Sequence, residues 1–257
     1  YFLLAFLEDL IDCSLNIDLA KKRPAYFTLK SLNIFKEEDK ELNDLLILVN
    51  KSIHKFGAIV LSNPEIILLL IICDRSPILK LKQDISWDGV LAKILFTNVS
   101  SSADKKIKGD FLEILMAYLF ICCGDEFEVI KNVNNLTAQI DLKIRNLSKD
   151  PILELLGRYI LIECKNWDKS IGAPVIKKFI QDVRFGNCDV GIIVAKRGVT
   201  GQKLKRHAEF VIRQEFHKDK VVMIILNNDD LKNLVDENFT LLEMLKIKYE
   251  SVRFDMP

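Results

Sequence analysis

The second half of the chain alternates between short apolar segments and longer amphipathic ones, and this order restricts the possible folds more than any other feature. Residues 159–165, 190–195 and 221–226 are nearly continuous apolar segments of strand length, which is typical of strands covered on both faces. Amphipathic stretches at 174–185 and 201–217 separate them and predict helices. Strands separated by helices favour parallel crossover connections.

A predicted helix and two predicted strands precede this alternating part. Apolar spacing predicts a helix over 109–122, and residues 127–133 and 139–145 are typical of strands. These two strands lie close in sequence to 159–165, which favours an antiparallel meander, and a final helical piece starts over 229–235. The sequence therefore predicts the α/β class, with a mixed sheet that has helices on both faces.

Residues 1 to about 100 have a different pattern, with apolar side chains at helical spacing and no strand signal. One helix face would carry Leu45, Leu46, Leu48, Val49, Ile53 and Phe56. Residues 99–104, Val-Ser-Ser-Ser-Ala-Asp, are the best candidate for a linker. We therefore predict two parts: a helical region over 1–100, used for recognition, dimerisation or partner binding, and an α/β domain over 101–257.

Bulk composition excludes few classes of protein. The 257 residues carry a net charge of +1, so any preference for a polyanion must be local. The longest apolar run, 66–73, is too short for a bilayer, which needs about 20 residues. The six cysteines form no CxxC pair, and the apolar start, 1–6, lacks a basic flank, so we expect a cytoplasmic protein with reduced thiols and no membrane partner. The first residue is Tyr1 instead of Met, and we interpret the chain as a fragment.

Three charged residues stand out on the predicted strands. Side chains alternate along a strand, so Glu163 and Lys165 share one side, and Asp141 lies on the polar side of the preceding strand. A structural salt bridge would explain Glu163 and Lys165 alone. Two adjacent carboxylates repel each other, however, and oxygen ligands suit a hard cation such as Mg²⁺. Lys165 would then orient a water molecule or stabilise charge on a phosphate.

These residues also carry a family resemblance. Gln-Ile-Asp-Leu-Lys-Ile around Asp141 and Ile-Leu-Ile-Glu-Cys-Lys-Asn-Trp around Glu163 resemble the bipartite motif of the PD-(D/E)xK nuclease superfamily, although Ile140 stands where that motif has Pro. Val175, Phe179, the Gly-Ile-Ile-Val-Ala strand and the Arg-Gly-Val-Thr-Gly turn are similar to its Mrr-like restriction endonuclease branch.

The resemblance covers about residues 105–235 and implies a restriction-endonuclease-like fold. It also implies DNA phosphodiester hydrolysis with Mg²⁺, or with Mn²⁺ as a substitute, in restriction or anti-phage defence. Asp141, Glu163 and Lys165 would be the catalytic residues. The metal ligands implied are Asp141, Glu163, the Cys164 backbone carbonyl and, on the preceding helix, Glu113. An exposed structural Glu is the alternative for Glu113. The partners implied are DNA and a homodimer or larger defence complex formed through the helical region.

Local charge suits a polyanionic substrate. Between Lys165 and Lys220 there are 13 Lys or Arg residues against 6 Asp or Glu. Thr200 is a candidate cap for the helix predicted over 201–217, whose first N–H groups could hold a phosphate. The candidate nucleic-acid contacts are Lys196, Arg197, Thr200, Lys203, Lys205 and Arg206. The alternative is a solvated basic helix face, and Trp167 has two readings, base stacking and ordinary packing.

Two other functions fit the same fold. One is a non-catalytic nucleic-acid-binding or assembly module, which would need no clustered carboxylates. The other is a junction-resolving or RNA-cleaving nuclease with the same core. Substrate panels of linear, branched and RNA molecules distinguish these functions.

Overall fold

The computed structural model of the protein describes residues 47, 51, 54, 55, 87–101, 104–134, 139–201 and 207–254, with the backbone alone at 131–134 and 139. The chain divides into two compact units, Tyr1–Lys82 and Gln83–Pro257, and every feature below belongs to the second. Most of the helical region predicted over 1–100 lies outside the described residues. Its separate role in recognition, dimerisation or partner binding stays a prediction.

Five strands form one mixed sheet in the order of the sequence: β1 (Phe127–Asn134), β2 (Gln139–Asn146), β3 (Tyr159–Lys165), β4 (Val190–Ala195) and β5 (Val222–Leu226). The first three strands pair antiparallel, with Leu142 opposite Ile162. β3, β4 and β5 pair parallel, with Lys165 opposite Ala195. The predicted meander followed by parallel crossovers is therefore confirmed.

The helices of the described residues are α1 (Gly89–Ser101), α2 (Lys105–Ile121), α3 (Pro151–Glu154), α4 (Ala173–Phe185), α5 (Ala208–Asp219), α6 (Asn228–Val235) and α7 (Leu241–Arg253). A 3-10 turn, Gly124–Glu126, connects α2 to β1. The sequence prediction missed α3, a single turn capped by the Asp150 carboxylate, and did not resolve α7. Among these described helices, none is both long and apolar enough to cross a membrane.

The sheet has an apolar core on each face. Leu161, Ile193 and Met223 share one core with residues of α4 and α5 such as Phe179 and Val211. Alternate strand residues face the other way, and α2 contacts β1, β2 and β3. Every residue of β4 is buried, as expected for a parallel strand covered on both faces. The predicted α/β class, a mixed sheet flanked by helices, is confirmed.

Gly191 allows α4 to lie close to the sheet. A Cβ atom at this position would be 2.7 Å from Val183 Cγ2 and 2.9 Å from Phe179 Cε1. Both distances are shorter than packed carbon atoms tolerate. Because Gly191 is opposite Leu161 in β3, this packing fixes α4 against the strand that carries Glu163.

The segment predicted as a linker, 99–104, connects two packed helices. Val99 is only 1% exposed within α1, which packs against α2. Asp104 caps α2, where its carboxylate accepts a hydrogen bond of 2.7 Å from the Lys106 N–H. The division between compact units falls at Lys82/Gln83, before α1. The helices on both sides of the predicted linker therefore belong to the same unit as the sheet.

Helix α5 begins at Ala208 instead of residue 201. Thr200 lies outside the helix: its N–H donates to Ile171 O, next to a parallel bridge between Ile171 and Val199. Thr200 Oγ1 instead accepts a hydrogen bond of 3.0 Å from the Ala208 N–H. The N-cap residue of α5 is therefore His207, whose side chain makes no capping bond, and Thr200 bonds the first helical N–H from eight residues earlier. Residues 202–206 lie outside the described residues.

Candidate active site

Asp141 and Glu163 lie on neighbouring strands and share one face of the sheet. Leu142 is opposite Ile162, so the next antiparallel step brings Asp141 beside Glu163, and strand alternation gives both side chains the same face. Asp141 Oδ2 accepts a hydrogen bond of 2.7 Å from the Cys164 N–H. This bond holds the Asp141 carboxylate at the end of β3, so the structure brings the two carboxylates together.

Lys165 completes the cluster from the last residue of β3. Its ammonium forms an ion pair with Glu163 Oε1. The Lys165 and Glu163 side chains keep 23% and 17% of their surface exposed. The cluster is therefore partly desolvated but still open to a ligand from solvent.

Burial and charge act together on this cluster. Burial raises the pKa of Glu163, and the charge of Asp141 raises it further, against the lowering effect of Lys165. Burial lowers the pKa of Lys165, but the hydrogen bond and charge of Glu163, with the charge of Asp141, outweigh burial and raise it overall. Lys165 is therefore an ammonium, and a further cation beside Glu163 would be favourable.

The helix that covers this face adds an acidic residue that the sequence analysis missed. Asp182 of α4 also raises the pKa of Glu163 through its charge. Burial raises the pKa of Asp182 itself, and Lys178, one turn earlier on α4, opposes that effect. The sequence signal was weak because Asp182 looks like an ordinary polar position on an amphipathic helix.

The resemblance implies two further metal ligands, the Cys164 backbone carbonyl and Glu113, and only Cys164 lies next to the carboxylate cluster. Cys164 lies between Glu163 and Lys165, and its backbone N–H already contacts Asp141. Glu113 is half-buried on α2. Within the described part of the chain, no three His, Cys, Asp or Glu side chains come together at metal-binding distance, so Glu113 does not join Asp141 and Glu163 in such a group.

The basic turn after β4 lies at the same edge of the sheet as Lys165. Lys165 is opposite Ala195 in the parallel pair, and Lys196 and Arg197 follow directly. Lys196 Nζ is 3.4 Å from Asp168 Oδ1. Arg197 also borders a cleft of about 440 Å³ lined by Ser100, Lys196, Gly198, Asn227, Asn228 and Asp229. Two of the six predicted nucleic-acid contacts therefore flank the carboxylate cluster.

Of the other four predicted nucleic-acid contacts, only Thr200 lies among the described residues. The Ala208 N–H donates to Thr200 Oγ1 and the Glu209 N–H donates to Thr200 O. Two backbone donors of the α5 start, expected to be available for a phosphate, are thus already used within the chain. Lys203, Lys205 and Arg206 lie outside the described residues.

A family model for restriction endonucleases of the Mrr type matches residues 105–234. The chain belongs to the Mrr-type restriction endonuclease family. The match covers more than half of the chain and includes Asp141, Glu163 and Lys165. It confirms the resemblance predicted over 105–235 and the restriction-endonuclease-like fold. No curated protein and no solved structure matches the chain significantly.

Asn166 links this Mrr-type site to the first two helices and was not singled out by sequence reasoning. Its Nδ2 donates hydrogen bonds of 2.8 Å to Val99 O and 3.2 Å to Lys108 O. The first acceptor lies near the end of α1 and the second in the first turn of α2. Asn166 therefore positions the end of β3, immediately after Lys165, against both helices.

Proposed function

We propose that this Mrr-type protein is a metal-dependent endonuclease that hydrolyses DNA phosphodiester bonds. The observation that carries the proposal is the cluster at the end of β3. There the pKa of Glu163 is raised by burial and by Asp141, although Lys165 forms an ion pair with it. A structural salt bridge alone would need no second carboxylate at this edge.

The residues of the cluster fit a divalent metal cofactor. Asp141, Glu163 and the Cys164 backbone carbonyl would hold Mg²⁺, with Mn²⁺ as a substitute. N–H and C=O groups of one strand residue point the same way, and the Cys164 N–H already points at Asp141. Mg²⁺ usually keeps several water ligands, so a site with few protein ligands suits it. When bound, such an ion polarises a phosphate oxygen and makes a bound water more acidic.

Lys165 has the position and charge for a role at the phosphate. Glu163 and Asp141 keep it in the ammonium form because they raise its pKa. Its hydrogen bond with Glu163 holds Nζ at the exposed edge of the sheet. An ammonium placed there stabilises the negative charge that grows on a phosphate oxygen during attack by water. Asp141 contributes by fixing the Cys164 backbone and thereby the spacing of Glu163 and Lys165.

DNA is proposed as the substrate because the chain belongs to a restriction-type family and basic residues flank the cluster. Lys196 and Arg197 lie where a sugar–phosphate backbone crossing the sheet edge would contact them. Action in the cytoplasm, in restriction or anti-phage defence, is proposed from the family alone. The same holds for assembly into a homodimer or larger defence complex.

Cleavage of defined substrates tests the proposal. Linear duplex, single-stranded, branched and RNA substrates are incubated with the full chain in Mg²⁺, in Mn²⁺ and in EDTA. We expect DNA cleavage in either metal and none in EDTA, and Asp141→Asn should remove it. Lys218→Ala, an exposed lysine on α5, is the matched control that keeps activity. Binding of DNA without cleavage in either metal would instead support the non-catalytic binding module.

A further inference from the structure

Trp167 lies beside the proposed reacting groups and is exposed. It follows Lys165 by two residues, and 40% of its surface is accessible. Lys165 Nζ is 5.9 Å from the centre of its ring. Because this ammonium also forms the ion pair with Glu163, the indole reaches the rim of the carboxylate cluster.

The chain's other tryptophan has a different environment. Trp87 stacks on Tyr118, with ring centres 5.7 Å apart and planes 15° apart. A large aromatic ring normally gains stability by such packing. Trp167 instead keeps 40% of its surface exposed at the edge where Lys165 lies, so it is accessible to a ligand there.

A second lysine lies near the exposed ring. Lys169 Nζ is 5.9 Å from the Trp167 ring centre, as far as Lys165 Nζ. Both distances are near the outer limit of about 6 Å for a cation–π contact. Lys196 Nζ lies 3.4 Å from Asp168 Oδ1, next in sequence to Trp167. An aromatic surface among ammonium groups is the combination that binds the bases and phosphates of a single strand.

We propose that Trp167 stacks on an unpaired base next to the scissile phosphate, so that the preferred substrate is single-stranded or locally unpaired DNA. The proposal rests on the proposed nuclease function and adds the structural class of its substrate. In a duplex, neighbouring bases cover both faces of each base, and only unpaired or terminal bases offer a face to an indole. Because every base has such a face, Trp167 selects DNA structure with little sequence preference.

Tryptophan fluorescence tests this contact without cleavage. Trp87→Phe keeps an aromatic ring on Tyr118 and leaves Trp167 as the only tryptophan of the 257 residues. The variant is titrated in EDTA with a short single-stranded DNA, with RNA of the same sequence and with a relaxed closed-circular duplex, which has no terminal bases. We expect saturable quenching by single-stranded DNA at lower concentration than by either other ligand. Unchanged emission at saturating single-stranded DNA, or stronger binding of the duplex or RNA, would overturn the proposal.

Affinity measurements separate stacking from general attraction. Trp167→Ala should weaken binding of single-stranded DNA roughly 5- to 140-fold, the range for loss of one base stack, whereas Trp167→Phe should retain most of the affinity. Duplex binding should change less than about twofold. Phe185→Ala is the matched control, since Phe185 is 76% exposed at the far end of α4.

The same variants distinguish failure of this inference from failure of the proposed function. If Trp167→Ala binds and cleaves single-stranded DNA like the wild type, stacking is wrong and the nuclease function stands. If the wild type neither binds nor cleaves any DNA in Mg²⁺ or Mn²⁺, both fail. Circular dichroism and thermal unfolding of Trp167→Phe and Trp167→Ala establish that any loss occurs in folded protein.

Discussion

Two charged clusters in this domain each contain two carboxylates but connect them to their cations differently. On the helices, Arg184 of α4 hydrogen-bonds to both Glu215 and Asp219 of α5. On the sheet, Lys165 pairs with Glu163, while Asp141 accepts a backbone N–H. Arg184 reaches both carboxylates with one guanidinium nitrogen, Nη2, whereas Lys165 pairs with Glu163 alone and a backbone N–H holds Asp141.

This difference shows how similar charges can stabilise one part of a fold and prepare another for a ligand. Arg184, Glu215 and Asp219 form pairs between two helices, a structural use of charge. At the sheet edge, Glu163 keeps a raised pKa despite its ion pair because burial and Asp141 oppose its ionised form. The charge of a bound divalent ion would offset both effects and favour the ionised form of Glu163.

The substitution Lys165→Ala is expected to have the largest effect, a fall in the rate constant for cleavage. Removing one preorganised charge that stabilises a transition state lowers the rate constant roughly 100- to 1,000-fold. Arg184→Ala, which removes the cation of the helix cluster, should leave the rate unchanged. Single-turnover cleavage, measured at equal folded fraction, makes the comparison. Equal rates for wild type and Lys165→Ala would remove Lys165 from the mechanism.

A smaller effect is expected for the positioning residue Asn166. Asn166→Ala leaves the carbonyl groups of Val99 and Lys108 without a partner amide, which costs about 1–3 kcal/mol of unfolding free energy. Because the end of β3 then shifts, kcat should fall while KM stays nearly constant. The control is Asn238→Ala, which removes an exposed contact to Asn233. If Asn166→Ala loses unfolding free energy but keeps the wild-type kcat, Asn166 has a structural role alone.

The two directions of carboxyl pKa shift predict opposite pH dependences in metal-free protein. The raised pKa of Glu163 means that the folded state binds this proton more tightly. Stability of the wild type relative to Glu163→Gln should therefore fall as pH rises from 4.5 towards the raised pKa. The hydrogen bond from Lys246 lowers the pKa of Asp150, and stability relative to Asp150→Asn should fall as pH decreases below 3.8.

Urea unfolding across pH in EDTA measures both differences. The two pairs, wild type against Glu163→Gln and wild type against Asp150→Asn, control for the general effect of acid on the fold. Slopes of the same sign for both pairs would contradict the contrast between the two carboxylates.

The smallest effect is expected for the helix cluster itself. Arg184→Ala removes contacts whose side chains are partly exposed, with 35% of the Arg184 side chain accessible. Such pairs contribute less than about 1 kcal/mol and are screened by salt. Chemical denaturation at low and high salt measures this contribution. A loss well above that value would contradict the weak contribution expected of partly exposed ion pairs.

Strand periodicity explains what the sequence could predict. A period of two assigns Glu163 and Lys165 to one face as soon as β3 is recognised, and it places Asp141 on the matching face of β2. Contacts between distant residues have no such local signal. Asn166 reaches carbonyl groups 67 and 58 residues earlier in the chain, and Asp182 acts on Glu163 from α4, a helix that packs closely on the sheet at Gly191.

The predicted start of α5 at residue 201 was wrong because it also depends on contacts between distant residues. Thr200 looked like the residue before a helix because Thr caps helices locally. In the structure its backbone belongs to a bridge with the segment at Ile171, and its hydroxyl caps Ala208 from a distance. The predicted division near residue 100 rested on composition; the compact units divide at Lys82/Gln83, and α1 packs on α2.

Calorimetric titration of Mn²⁺ into the full chain tests the central claim most directly. We expect saturable binding by the wild type that Asp141→Asn and Glu163→Gln abolish, because each removes a charged oxygen ligand. Glu215→Gln, which alters the helix cluster, should bind like the wild type. Absence of binding by the wild type, or equal binding by Asp141→Asn and the wild type, would contradict a metal centre at the end of β3.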